Sequence, residues 1–161
     1  MTVDEINWHK ARLIPTTGVG GSAEQETRAT SALLAVIPAV SEFGATLLSR
    51  HFGAPKGRIE TFTEVPFTHR SGDEVRPDGL IRVTKGKKSW VALVEVKTGR
   101  NKLQNQQVEN YLDVCRDEGF DAVITVSNQF AIGSGQHPVS VSGQKTRRVS
   151  LHHLSWNAIL T

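Results

Sequence analysis

Gly79-Leu80-Ile81-Arg82-Val83-Thr84, then Lys85-Gly86-Lys87-Lys88-Ser89, then Trp90-Val91-Ala92-Leu93-Val94-Glu95-Val96 is the stretch that decides the fold. The outer runs are apolar and β-branched at strand length, and the middle is a polar turn with one glycine. A two-residue turn at Gly86-Lys87 is the natural type II′ choice, with glycine at the position that needs positive φ. That turn sets the pairing. Asp78, just before the first strand, falls opposite Glu95, and Lys97 is the diagonal neighbour on the same face. A slip of one residue would send the two carboxylates to opposite faces. In this register Asp78, Leu80, Arg82, Val91, Leu93, Glu95 and Lys97 share one face. Gly79, Ile81, Val83, Trp90, Ala92, Val94 and Val96 share the other. Both faces are apolar enough to predict a sheet covered on both sides.

Two carboxylates side by side at the buried end of such a sheet repel each other unless a cation or a shared proton compensates. Hard oxygen ligands suit Mg²⁺ or Mn²⁺, which keep several waters and bind phosphate oxygens. A lysine beside them can orient or deprotonate an attacking water, or offset charge on a phosphoryl transition state. Beyond Thr98-Gly99-Arg100-Asn101 the period becomes helical. Leu103, Gln107, Val108, Tyr111, Leu112 and Cys115 recur at three- and four-residue steps, and Gly119 closes the element. Gln107 and Tyr111, four apart, project from one helical face.

Pro77-Asp78, Glu95-Val96-Lys97 and Gln107-Val108-Glu109-Asn110-Tyr111, in that order, resemble the PD-(D/E)XK nuclease superfamily. The last of them resembles the QhxxY helix of its RecB-like branch. The resemblance covers residues 22–153 or so as an αβββαβ core. It implies an α/β, restriction-endonuclease-like fold with a mixed central sheet flanked by helices. Asp78 and Glu95 would be metal ligands, with the Val96 carbonyl as a third, and Lys97 the catalytic lysine. Gln107 and Tyr111 would touch the site or the DNA backbone. The implied activity is Mg²⁺- or Mn²⁺-dependent hydrolysis of DNA phosphodiesters, in repair or defence. The family also places an acidic residue on its first core helix. Here apolar residues Leu33, Ile37, Val40, Gly44, Leu47 and Leu48 mark a helix over 23–49, with Ser22 as N-cap. Pro38 predicts a kink or a split. At about 100° per residue Glu26 lies within roughly 20° of Leu33, and Glu24 falls on the opposite side. Glu26 is therefore the expected third acidic ligand.

The 161 residues suffice for one domain with its own core. One cysteine rules out a disulfide framework and fits a reducing cytoplasm. Neither a secretory signal nor a membrane-length apolar run is present. The histidines lack zinc spacing, and Gly18-Val19-Gly20-Gly21 lacks the lysine of a nucleotide loop. A net charge of +3 does not announce nucleic acid by itself. Its distribution points to phosphate contacts at Arg100 and Lys102, directly after the catalytic lysine. Lys85, Lys87 and Lys88 form a further basic group, and Lys145, Arg147 and Arg148 another.

Residues 59–67 alternate as a half-exposed strand, 68–76 form a polar connection, 121–126 a buried strand, and 148–151 a further strand. Residues 127–146 read as a long loop. Ser155 caps a last short helix whose apolar face, with Trp156, is expected to be exposed. That ending suggests a chain cut from a longer protein with a further C-terminal domain, or a homodimer that supplies a partner helix. Two rival functions follow: a catalytically inactive nucleic-acid-binding module of the same fold, and a protein-interaction domain acting through the Trp156 helix.

Overall fold

A computed structural model describes residues 8–11, 21–130 and 137–160. The hairpin has the register read from its turn. Strand β5 (Gly79–Lys85) pairs antiparallel with β6 (Lys88–Val96), with Gly79 opposite Val94 and Lys85 opposite Lys88. Gly86 has φ +61, as the turn requires, and Lys87 keeps an ordinary negative φ. Around this pair a six-stranded mixed sheet assembles in the order β1-β2-β5-β6-β7-β8, where β1 is His9–Lys10, β2 Arg58–Thr63, β7 Ala122–Ser127 and β8 Ser150–Ser155. Each of the first four strands runs antiparallel to its neighbour among them, whereas β6, β7 and β8 run parallel.

Helices cover both faces of this α/β sheet. Helices α1 (Ser22–Ala39) and α2 (Ser41–Phe52) bury Leu34, Ile37 and Leu48 against Ile81, Val83, Val94 and Val96. Helix α3 (Asn105–Glu118) buries Val108, Tyr111, Leu112 and Cys115 against Leu80, Val91, Leu93 and Val123. The two faces are those the pleat predicts. Gly119, in the left-handed region, ends α3. Leu103 is buried but precedes the helix, so its place in the periodic set reflects packing rather than helix.

Pro38 marks a split. It has no N–H to give the Leu34 carbonyl one turn back, and Thr61 Oγ1 donates to that carbonyl instead, at 2.6 Å. After Val40 the chain turns through 103° into α2. The turn brings α2 so close to α1 that a Cβ at Gly44 would lie 2.0 Å from the Ile37 carbonyl oxygen. Only glycine fits there. Among the described residues no single helix is long and apolar enough to cross a membrane.

Five local expectations are corrected. Gly21, not Ser22, occupies the N-cap position of α1. The strand predicted over 59–67 stops at Thr63, because Glu64 takes φ 49 and Pro66 cannot donate to a ladder. Phe67–Thr68 (β3) then pairs with Glu74–Val75 (β4), so the polar connection contains a small hairpin of its own. The strand predicted over 148–151 lies at 150–155. The described part of the 127–146 loop, beyond Ser127, is irregular as expected. Residues 131–136 of that loop, and 18–20 of the glycine stretch, lie outside the described residues. Ser155 does cap the last helix, α4 (Trp156–Leu160), accepting from the Ala158 N–H at 3.2 Å. The Trp156 side chain, however, packs on the core beneath α1 and α2. Leu160 is the large apolar side chain of α4 left exposed, at 80 %.

Candidate active site

The two β-strand ends deliver the charged groups together. Asp78 precedes β5 by one residue, and its Oδ2 accepts the Val96 N–H at 2.7 Å, which fastens it to the end of β6. Glu95 is 1 % exposed. Its Oε2 accepts the Tyr111 hydroxyl at 2.9 Å, and its Oε1 lies 2.9 Å from Lys97 Nζ. Gln107 hydrogen-bonds the same Tyr111 hydroxyl, so the two helical residues act in series on one carboxylate. Val96 stands between Glu95 and Lys97, with its side chain in the opposite core.

Lys97 is held at three points. Its N–H donates to the Val126 carbonyl at 2.8 Å, its carbonyl accepts Trp156 Nε1–H at 2.8 Å, and its ammonium also reaches Glu26 Oε1 at 3.5 Å. Helical phase was a sound guide to Glu26. Glu24 instead pairs with Arg28 along its own helix. Yet Glu26 enters the site through the lysine and the turn that follows it. Its Oε2 accepts from the Thr98 N–H at 3.0 Å and from Asn101 Nδ2 at 3.1 Å.

Burial first, then the charge of Glu95, pushes the Asp78 carboxyl up to about 7, against the pull of the Val96 N–H and Lys97. Burial alone would lower the Lys97 ammonium. Glu95, Glu26 and Asp78 outweigh it, and Lys97 is raised above its ordinary value. Tyr111 is raised by burial and then by Glu95, so it stays a phenol and remains a donor.

The donor set fits a hard divalent cation in one specific way. Three carboxylates surround one ammonium, so the site carries excess negative charge in a buried place. No set of three or more Asp, Glu, His or Cys side chains is gathered at metal-ligand spacing among the described residues. Mg²⁺ does not need such a cage: it is held by one or two carboxylates, with waters and substrate phosphates completing its octahedron. Asp78 and Glu95, brought together at the strand ends, are of the type such a site uses.

No family model, curated protein or solved structure matches this chain. What the site can do follows from its own atoms.

Arg100 and Lys102 are exposed on the segment that follows Lys97, and neither is in an ion pair among the described residues. The other basic groups are less suited. Lys85, Lys87 and Lys88 sit at the turn end of the hairpin, about 23 Å from Asp78 at roughly 3.3 Å per residue. Lys145 is committed to the buried carboxylate of Asp113, 2.7 Å away, which also takes His69 Nε2 at 3.0 Å.

Several residues around the site carry no sequence signal of their own. Trp156 holds the lysine's carbonyl, and Asn101 holds Glu26. Asn128 Nδ2 donates to the Gly99 carbonyl at 3.2 Å, and Gln129 Oε1 accepts the Leu103 N–H at 2.8 Å. Only the position of Asn128 and Gln129, just past the end of a strand parallel to β6, could have marked them. Loops at the carboxyl ends of parallel strands are where α/β sheets bind ligands.

Proposed function

We propose that this chain is a PD-(D/E)XK-type nuclease of the RecB-like branch, hydrolysing DNA phosphodiesters with Mg²⁺ or Mn²⁺. The observation that carries the reading is the juxtaposition of Asp78, Glu95 and Lys97 at one end of the sheet, with Tyr111 and Gln107 fixing Glu95. The order α1, β2, β5, β6, α3, β7 agrees with the αβββαβ core of a restriction-endonuclease-like fold.

Asp78 and Glu95 would hold the cation, with the Val96 carbonyl as the third protein oxygen. The bound cation supplies Lewis-acid polarisation of a phosphoryl oxygen and a more acidic water. Lys97 stays an ammonium because the carboxylates around it stabilise its charge. Its role is therefore to orient the water and offset phosphoryl charge, not to act as the base. Tyr111, donating to Glu95 Oε2, leaves Oε1 directed toward Lys97 and the substrate side. Glu26 keeps the lysine over the site when no cation is bound. Arg100 and Lys102 would meet backbone phosphates without reading bases.

The test is incubation with linear, circular and single-stranded DNA plus Mn²⁺, comparing wild type with Lys97→Ala. Cleavage that survives in the variant refutes the mechanism. Mn²⁺ binding by calorimetry, lost in Glu95→Ala, separates the active reading from an inactive module of the same fold.

A further inference from the structure

Between Lys97 and α3 lies an irregular stretch, 98–104, that has no ladder partner. Its one internal backbone bond runs from the Asn101 N–H to the Thr98 carbonyl, at 3.1 Å. An exposed stretch of this kind would ordinarily sample many conformations. Here it is fastened from two sides. Glu26 takes its beginning, through the Thr98 N–H and Asn101. From the other side Asn128 takes the Gly99 carbonyl and Gln129 takes the Leu103 N–H, one at each end of the part that carries Arg100 and Lys102.

The clamp itself rests on buried structure. The Gln129 N–H donates to Ser127 Oγ at 3.0 Å, and Ser127 is 0 % exposed at the end of β7. The Gln129 carbonyl accepts His153 Nε2–H at 3.1 Å, which ties it to β8. Resting on the proposed nuclease function, we infer that Asn128 and Gln129 are positioning residues that hold Arg100 and Lys102 as a preformed phosphate-contacting pair. Both clamp residues are neutral amides. They lower the conformational freedom lost on binding without adding charge, which separates their signature from that of the cations they hold.

The experiment measures binding of the whole chain to fluorescein-labelled linear DNA with Ca²⁺ in place of Mn²⁺, across a series of salt concentrations. Gln129→Leu and Asn128→Ala are each expected to weaken binding roughly tenfold while leaving the slope of log Kd against log salt unchanged. Arg100→Ala is expected to reduce that slope by about 0.9, the value of one phosphate contact. Amide hydrogen exchange over 99–103 gives an activity-free readout. It should quicken in Gln129→Leu and stay protected in Gln129→Glu, which keeps the acceptor oxygen. Unchanged affinity in both neutral variants, a slope that falls in them as in Arg100→Ala, or unaltered exchange in Gln129→Leu would overturn the inference alone. A wild-type chain with no affinity for DNA would overturn the nuclease reading and the inference with it.

Discussion

Across one row of the sheet, Glu95 on β6 pairs with Thr125 on β7, and Thr125 with His153 on β8. The acidic cluster and a pair of imidazoles are thus neighbours on the same face, two strands apart. The imidazole side satisfies itself completely. His153 Nε2 faces the Gln129 carbonyl and so carries the hydrogen, while His137 Nδ1 accepts the Val139 N–H at 2.9 Å, so its hydrogen is on Nε2. That leaves one consistent chain: His137 Nε2–H to Thr125 Oγ1 at 2.6 Å, and the Thr125 hydroxyl on to His153 Nδ1 at 2.9 Å. Every group is neutral and partnered. The acidic side has good hydrogen bonds as well, but its charges do not cancel, and Asp78 is driven toward holding a proton. A buried polar cluster that closes on itself is scaffold. One that is left with uncancelled charge in a buried place is a candidate site.

Removing a group from each side should therefore have opposite consequences, and the largest falls on activity. Lys97→Ala should lower Mn²⁺-dependent DNA cleavage by about a thousandfold, the order seen when one preorganised charge-stabilising group is lost, with the fold retained by circular dichroism. Asp78→Asn should also abolish cleavage, yet raise the melting temperature of the metal-free protein at pH 8. The sign follows from linkage. The folded carboxyl is raised from 3.8 to about 7, so the native state binds more protons in that window and stability falls as pH rises through it. The full effect is at most roughly 4 kcal/mol at 1.36 kcal/mol per unit. Asparagine keeps an acceptor for the Val96 N–H and removes the charge. A metal-free variant less stable than wild type at pH 8 would show that the carboxylates are already compensated.

The contrast also explains which parts were legible in the sequence. The acidic cluster sits on a hairpin, where a glycine turn and a two-residue pleat propagate register over a few residues. Asp78 and Glu95 could be placed face to face from that alone. Glu26 followed from helical phase, and the break after Pro38 from a missing N–H. The imidazole chain and the Asn128–Gln129 clamp depend on parallel pairing of β6, β7 and β8, whose register is set by packing across α3 and leaves no local period. The same reason hid the true extent of β8, because His152-His153 look like a strand end until Thr125 is seen beside them. Lys145 misled for the mirror-image reason: its partner Asp113 lies on the buried side of α3, which composition does not reveal.

Thr125→Val tests the scaffold half of the comparison. Valine keeps the shape and strips the one hydroxyl that joins both rings, leaving His137 Nε2–H and His153 Nδ1 without their partner. Leaving such buried groups unpaired costs about 1–3 kcal/mol. The expected result is a lower melting temperature at pH 7 with kcat for DNA cleavage within a factor of about 2, since no reacting atom is touched. A loss of kcat as large as that of Lys97→Ala would make the row a single catalytic unit and dissolve the distinction.

The smallest effect is the sharpest check, because its slope is opposite to that of Asp78. Burial, with His153 and His152 adding to it, lowers His137 from 6.5 to about 4, and burial lowers His152 and His153 in the same direction. The unfolded chain then binds more protons than the native one between those values. Stability from His137 is complete above pH 6.5 and is lost as pH falls toward 4. After discounting for partial exposure, His137 accounts for about 1–2 kcal/mol of that loss. Protonation at Nδ1 would set a donor against the Val139 N–H. His153 is more tolerant, since Thr125 can turn its hydroxyl to the His152 carbonyl, 3.2 Å away. The two slopes act over nearly the same window, between about 4 and 7, so in the metal-free wild type they largely offset each other. In chemical denaturation across that window, His137→Gln should leave stability falling as pH rises, and Asp78→Asn should leave it rising. If either substitution removed the slopes of both groups, the two clusters would be electrostatically one, and the acidic site would extend across the whole row.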